Sequence, residues 1–524
     1  MKRPWYIRLL VCLLIDITFI ISILNVDYWY IKLLACLLFG VGIAMHIWIA
    51  DKRESGQPSI IKQTSRFAPY IDAWALPLFI VLTPAILLLS EGLPATIAAV
   101  FPLFTLIFLH ISVYNAVLLL LLPLLRKHFS ARVCAALWVF PNFLYFAYNP
   151  LLRKDQPMLI IPISGTIGYF PVLIWGIGFI ATLLYQFTNH LLFKRKLLKN
   201  ARRAWDMNVQ RIWYDVLSNG AFQWREYPIM VSPDVSAPLS IGFFKKTTFV
   251  ILPQKEYTEA EIRLILTHEA VHIGRKDSFT KLFMVFCAAI CWFNPLAWIA
   301  VRHCSADMEL SCDETVLLKE SQETKQLYAK LLLKTAGNDR GFSTCLSTSA
   351  KTMLYRLTNT LKPQKRSLGA VAAGIAMFLL LSTCGLVSIS YNPVGGEYLF
   401  NTIENASWGN NIVYRINENR YEYEYSDISV LHEYVSDIEF YQLTGTYNYP
   451  NDNILIAFYY QKTDYKNDYA STGVISSGTV ELVLKDHTLT VIDFAVGGEP
   501  EIKTYYHNAN IDWDYLLSSA TPMS

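Results

Sequence analysis

The chain has 524 residues, 53% of them hydrophobic, and a mean hydropathy of +0.30, which excludes an ordinary single-domain soluble protein and points to an integral membrane protein. Its net charge of +3 conceals a division: residues 391–524 carry 6 Lys/Arg against 19 Asp/Glu, leaving 39 against 23 before them, so a basic body precedes an acidic tail in what reads as a second compartment. All nine cysteines precede residue 391, which excludes a disulfide framework for the tail.

In chain order, apolar stretches long enough to cross about 30 Å of hydrocarbon lie at 4–25, 28–50, 73–91, 97–125, 131–150, 167–193 and 369–390. Lys2 and Arg3 begin the first, which reads as an uncleaved anchor because no small-residue cleavage site follows. Basic groups at Lys2/Arg3, Lys52/Arg53, Arg126/Lys127/Arg132 and Lys194–Arg203 are all cytoplasmic if crossings alternate, with a short outer link at Glu91. The N-terminus and residues 194–368 are then cytoplasmic, and the span 369–390 exports the tail. Asp16, His46 and His110 fall inside expected spans, where polar groups are costly.

Residues 247–253, TTFVILP, read as a strand. It is either an ordinary sheet strand or an edge that pairs with an extended substrate. The next segment, 258–276, reads as a helix: Thr258 and Glu261 form a capping box, and Ile262, Ile265, Leu266 and Ile273 recur with helical spacing. It carries His-Glu-x-x-His. His268 and His272, four apart, project to one side and can share a metal, with Glu269 beside it. A catalytic zinc takes three protein ligands and keeps one position for water.

The third ligand is sought in ADMELSCDETV, 306–316, where Glu309 and Asp313 share a helical face. One carboxylate can ligate the metal while the other orients a histidine. Segment 279–301 is apolar enough to be a span, yet one crossing would separate Glu309 from His268. Asn294-Pro295 in WFNPLAW offers a reversal, so 279–301 is read as a re-entrant or interfacial hairpin. Cys287 and Cys291 read as packing groups, and Cys304 and Cys312 lack a ligand-pair spacing. With zinc bound, a water pKa falls from 15.7 toward about 7. Glu269 would take its proton and deliver it to the leaving amine.

The tail holds 17 of the 31 tyrosines, in alternating runs such as RYEYEY (420–425), NILIAFYYQKT (453–463) and TVELVLKDHTLTVIDFAV (479–496). A small antiparallel sheet with a helix near 429–437 is expected, its tyrosines serving either a ligand-binding face or cross-strand packing.

ILPQKEYTEAEIRLILTHEAVHIGRKD, WFNPLAW and DMELSCDETVL, in that order, resemble the BlaR/MecR family of integral-membrane zinc metalloproteases, and the likeness runs from about 100 to 368. The resemblance implies His268, His272 and Glu309 as zinc ligands, Glu269 as base and Asp313 as the group that orients a histidine. It also implies a gluzincin-like α+β cytoplasmic protease domain that cleaves a winged-helix repressor of BlaI/MecI type, and often itself. Residues 391–524 lack the Ser-x-x-Lys of a penicillin-binding sensor, so β-lactam acylation is rejected.

The expected protein is thus a polytopic α-helical membrane protein in five parts. Residues 1–93 form an N-terminal extension with three spans and 94–193 hold three family-type spans. Residues 194–368 form the protease, 369–390 the last span, and 391–524 a small β-rich extracytoplasmic sensor. Its partners are Zn2+, a cytoplasmic substrate protein, membrane lipid and an outside ligand of unknown chemistry, with no direct nucleic acid and a homo-oligomer admitted. Alternatives are a housekeeping membrane protease or a non-catalytic receptor.

Overall fold

The computed structural model describes residues 29–54, 76–147, 159–163, 169–219, 227–242, 247–318, 320–335, 350–361 and 369–391. In the tail it describes 394–395, 406–408, 412–416, 419–424, 429–441, 454–462, 479–485, 487–493, 501–507, 509–518 and 521–522. The chain forms two compact units, one holding residues 1–96, 107–149 and 172–383 and the other holding 97–106, 150–171 and 384–524.

In the first unit, helices α1 (Trp29–Glu54), α2 (Leu76–His128), α3 (Ala131–Val139) and α4 (Tyr169–Lys199) come first. Among the described residues three stretches are long and apolar enough to cross a membrane: Tyr30–Ala50, Val100–His128 and Phe170–Lys199. The expected span 4–25 and Asp16 lie outside the described residues. Expected spans 73–91 and 97–125 merge into α2, and the link at Glu91 shrinks to Gly92, whose φ of 82° glycine adopts without the penalty a Cβ brings.

Segment 131–150 is not one long helix. It divides into α3, a 3-10 turn at Phe140–Phe143 that contains Pro141, and Leu144–Ala147, with residues 131–145 buried against protein. The last expected span, 369–390, contains a helix of only 14 residues, Gly369–Ser382, which extends about 21 Å. That helix meets α1 backbone to backbone: a Cβ at Gly40 would lie 2.6 Å from the Gly374 carbonyl oxygen. Small residues permit such close approach between apolar helices. His46 is buried, and the His110 Nε2 pairs with the Thr383 hydroxyl at 2.9 Å, which gives that histidine a packing role.

The unit continues with strand β1 (Arg202–Arg203), helix α5 (Met207–Asn219), and strands β2 (Ile229–Ser232), β3 (Leu239–Ile241) and β4 (Phe249–Pro253). Helices α6 (Glu259–Arg275), α7 (Asp277–Ile290), α8 (Pro295–Val316), α9 (Gln322–Thr335) and α10 (Ala350–Leu361) follow. The sheet order is β1-β2-β4-β3, with β2 and β4 parallel and the outer pairs antiparallel. The TTFVILP strand is therefore interior, and the reading of it as a substrate-pairing edge is overturned: both of its sides are taken by β2 and β3. Its alternate face packs Val250 and Leu252 into a core with Ile212, Trp213, Leu266, Tyr328 and Leu331, which seats α6 on the sheet.

In the second unit, Leu159–Ile163 pairs in parallel with Val387–Tyr391. The tail forms an eight-stranded antiparallel sheet whose long strands are Ile454–Lys462, Thr479–Lys485, Thr488–Asp493 and Glu501–Tyr506, with helix Ser429–Ser436 beside them in sequence as expected. Tyr506 is buried, and Tyr434 stacks on Tyr515 with ring centroids 6.0 Å apart, so these tyrosines pack.

Candidate metal centre

The site begins with a well-determined helix start. The Thr258 hydroxyl accepts from the Glu261 amide and the Glu261 carboxylate accepts from the Thr258 amide at 2.8 Å, satisfying two of the helix's orphan donors. Lys334 adds an ion pair to Glu261 at 3.1 Å. From there α6 runs to Arg275 and stops because Lys276 turns left-handed (φ 58°), so that Asp277 starts α7 directly beneath the preceding turn. Arg275 is buried and donates to the Ser311 and Thr315 hydroxyls at 3.0 and 2.6 Å, clamping the end of α6 to α8.

The reversal between α7 and α8 falls at Asn294-Pro295. Pro295 takes the first helical position, and Asn294 caps α8 through the Leu296 amide at 3.0 Å while donating to the Ser112 hydroxyl at 2.8 Å. The helical hairpin thereby returns α8 alongside α6.

The result is convergence. The Nε2 atoms of His268 and His272 are 3.0 Å apart, and the Glu309 Oε2 lies 3.6 and 3.5 Å from them. Glu269 is buried one position after His268. The surroundings decide which atoms carry protons. His272 Nδ1 meets the Asp277 carboxylate at 2.6 Å, so that nitrogen donates and Nε2 is left as a lone pair. Tyr328 spends its single proton on Asp313 at 2.6 Å and so accepts from His268 Nδ1 at 2.9 Å, leaving that Nε2 bare as well. Two lone pairs and a carboxylate oxygen aimed at one point repel each other unless a cation lies between them.

Their spacing suits one. Ligands about 2.0–2.2 Å from a tetrahedral zinc stand about 3.3–3.6 Å from each other, close to the three separations found. These side chains form a group able to hold a metal ion, with ligand atoms all within 4.8 Å of one another.

Charge is balanced by residues that sequence reasoning missed. Lys281 donates to Glu309 Oε1 at 3.0 Å, and Arg356 from α10 grips Asp313 through two bonds of 2.7 Å while standing 3.7 Å from Glu309 Oε2. Burial would raise the Glu309 carboxyl, but Lys281 and His272 hold it well below the usual carboxylate range. Burial also disfavours the His272 cation, yet Cys312, Glu309 and Asp277 raise its pKa well above the usual value.

Asp277 closes the quoted motif and was legible as its next carboxylate. Lys281 is the cation in an otherwise apolar run. Tyr328 and Arg356 carried no local signal. Cys287 and Cys291 pack inside the hairpin, whereas Cys312 Sγ sits 3.3 Å from His272 Nδ1 on the side away from Glu309. Asp277 already occupies that nitrogen.

A histidine pair on one helix and a glutamate on another thus form a group able to hold a metal ion, in a chain with helices long and apolar enough to cross a membrane. The family model described as BlaR1 peptidase M56 matches residues 153–357. Over this region the chain is similar to proteins of the BlaR/MecR type. It is 28% identical over 127 residues to the regulatory protein BlaR1 of Bacillus licheniformis, covering 24% of this chain and 21% of that one. It is 26% identical over 178 residues to the methicillin resistance mecR1 proteins of Staphylococcus aureus and Staphylococcus epidermidis, covering 33% of this chain and 29% of theirs. The chain thus matches under a third of the length of these relatives.

Proposed function

We propose that the protein is a multi-pass membrane zinc endopeptidase of gluzincin type that transduces an outside signal, received by residues 391–524, by cleaving a cytoplasmic protein, a winged-helix repressor of BlaI/MecI type and the receptor itself being the favoured substrates. The observation that carries it is the meeting of His268 Nε2, His272 Nε2 and Glu309 Oε2 at separations of 3.0–3.6 Å with both imidazole lone pairs turned inward. These three residues hold the zinc. When bound, the ion supplies Lewis acidity toward the scissile carbonyl and toward water.

The protein's own groups do the rest. Asp277 and Tyr328 fix the tautomers of His272 and His268, while Asp313 and Arg356 hold Tyr328 in place. Glu269 accepts the proton of the attacking water and returns it to the departing amine. The reversal at Asn294-Pro295 supports placing both halves of the site on the cytoplasmic side, with 279–301 re-entrant.

The test is the Glu269→Gln strain. Removing the base while keeping the ligands should leave bound zinc unchanged and cause one cytoplasmic protein to accumulate uncleaved on stimulation. Full signalling in that strain rejects proteolysis as the mechanism. Deleting 391–524 should abolish signal dependence, and a response that persists without the tail assigns sensing elsewhere.

A further inference from the structure

Between residues 194 and 211 the sequence carries seven Lys/Arg against one Asp, immediately after the apolar run of α4. Along α4, Leu173, Ile177, Ile180, Leu184 and Leu192 are exposed, as suits lipid-facing positions of a span. Six residues past Lys199 stands Trp205, 78% exposed, followed by Met207 at 80% and Tyr214 at 72%. Six residues reach at most about 20 Å, so this cluster is tethered to the end of the span.

Nothing in the domain's folding requires these side chains to be outside. Helix α5 turns Val209, Ile212, Trp213 and Leu217 into the core, and the Arg211–Glu259 and Asp215–Arg263 ion pairs at 3.6 and 3.5 Å also tie it to α6. Met207, Arg211 and Tyr214 share the opposite face by their spacing of four and three. The Arg203 guanidinium lies 5.4 Å over the Trp205 ring, combining an aromatic face with a cation. Asp206 accepts from the Asn208 amide at 2.8 Å, its carboxylate engaged in starting the helix.

Large amphipathic aromatics among basic residues, next to a span, are what a bilayer's headgroup layer binds. We propose that Trp205, Met207 and Tyr214 are an interfacial anchor: they insert among the headgroups of an anionic lipid surface while Arg202 and Arg203 engage its phosphates. The anchor holds the sheet side of the peptidase against the membrane. It rests on the reading of α4 as a span.

The test uses the full chain in nanodiscs of phosphatidylcholine, alone or mixed with phosphatidylglycerol. A photoreactive benzoylphenylalanine is placed at 177, 205, 214 or 323, and adducts are identified by mass spectrometry. Position 177 lies within α4, and 323 is an exposed site on α9. The expected result is lipid adducts at 177, 205 and 214 but not at 323. Yields at 205 and 214 should fall about fivefold or more without phosphatidylglycerol, the effect of a single basic group at an anionic surface.

The Arg202→Glu/Arg203→Glu pair should reduce labelling at 205 by a similar factor while leaving 177 unchanged. Lipid labelling at 177 with none at 205 and 214 overturns the anchor. So do adducts to a second protein copy, or equal yields in both lipids. Loss of labelling at 177 overturns the span and the anchor together.

Discussion

Replacing Asp277 by Asn tests whether His272 is held as a metal ligand by its neighbour. The perturbation is nearly isosteric, and both side chains are fully buried, joined at 2.6 Å. The other carboxylate oxygen, Oδ1, has no hydrogen-bond partner, so besides the His272 contact the exchange disturbs only the long 3.5 Å bond that Oδ2 accepts from the Cys312 thiol. An Asn amide can donate to His272 Nδ1, which would move the ring proton to Nε2 and cancel the lone pair aimed at Glu309. Loss of such a supporting carboxylate costs about 10–100-fold in metal affinity, or about 1.4–2.7 kcal/mol. The short, buried, charge-assisted bond here places the expectation in the upper half of that range. Purified protein in detergent, titrated with zinc against a competing chelator, gives the number, and thermal unfolding of the metal-free form separates affinity from folding. Affinity within twofold of the parent, with folding intact, would refute the assignment of His272 Nε2 as a ligand.

Two further outcomes are expected. Burial raises the Glu261 carboxyl, but the Thr258 amide and Lys334 together outweigh it and hold it below its ordinary value, so it stabilises α6 above about pH 4.5 and loses that effect as pH falls through the lowered folded value. Glu261→Gln should therefore lower the melting temperature at pH 7 and converge with the parent in acid, and an equal deficit at both pH values contradicts the charge argument. Gly40→Val should separate α1 from the Gly369–Ser382 helix, because its Cβ meets the Gly374 carbonyl at 2.6 Å, which is backbone and cannot swing aside. A destabilisation of about 1–3 kcal/mol is expected for such overpacking, read as loss of folded protein in detergent, whereas unchanged stability would mean the two helices do not meet there.

The parts of this protein legible in its sequence are those decided by near neighbours. Thr258 and Glu261 are three apart and start α6 by bonding each other, so its beginning and the histidine face follow from residues within a few turns. Asn294-Pro295 breaks a helix wherever it falls, which made the reversal between α7 and α8 readable and, with it, the pairing of His268 with Glu309.

Local pattern misled where packing had the final word. The TTFVILP run has strand character but no mark of its place in the sheet, and β2 and β3 close both its sides. Segment 131–150 is as greasy as a span, but Pro141 divides it and residues 131–145 are covered by protein. Tertiary structure alone chose the partners of the site: Tyr328 reaches His268 from 60 positions away, and Arg356 reaches Asp313 from 43. Hydrogen bonds and ion pairs act only within a few ångströms, and no periodicity along the chain records which distant side chain folding will bring into that range.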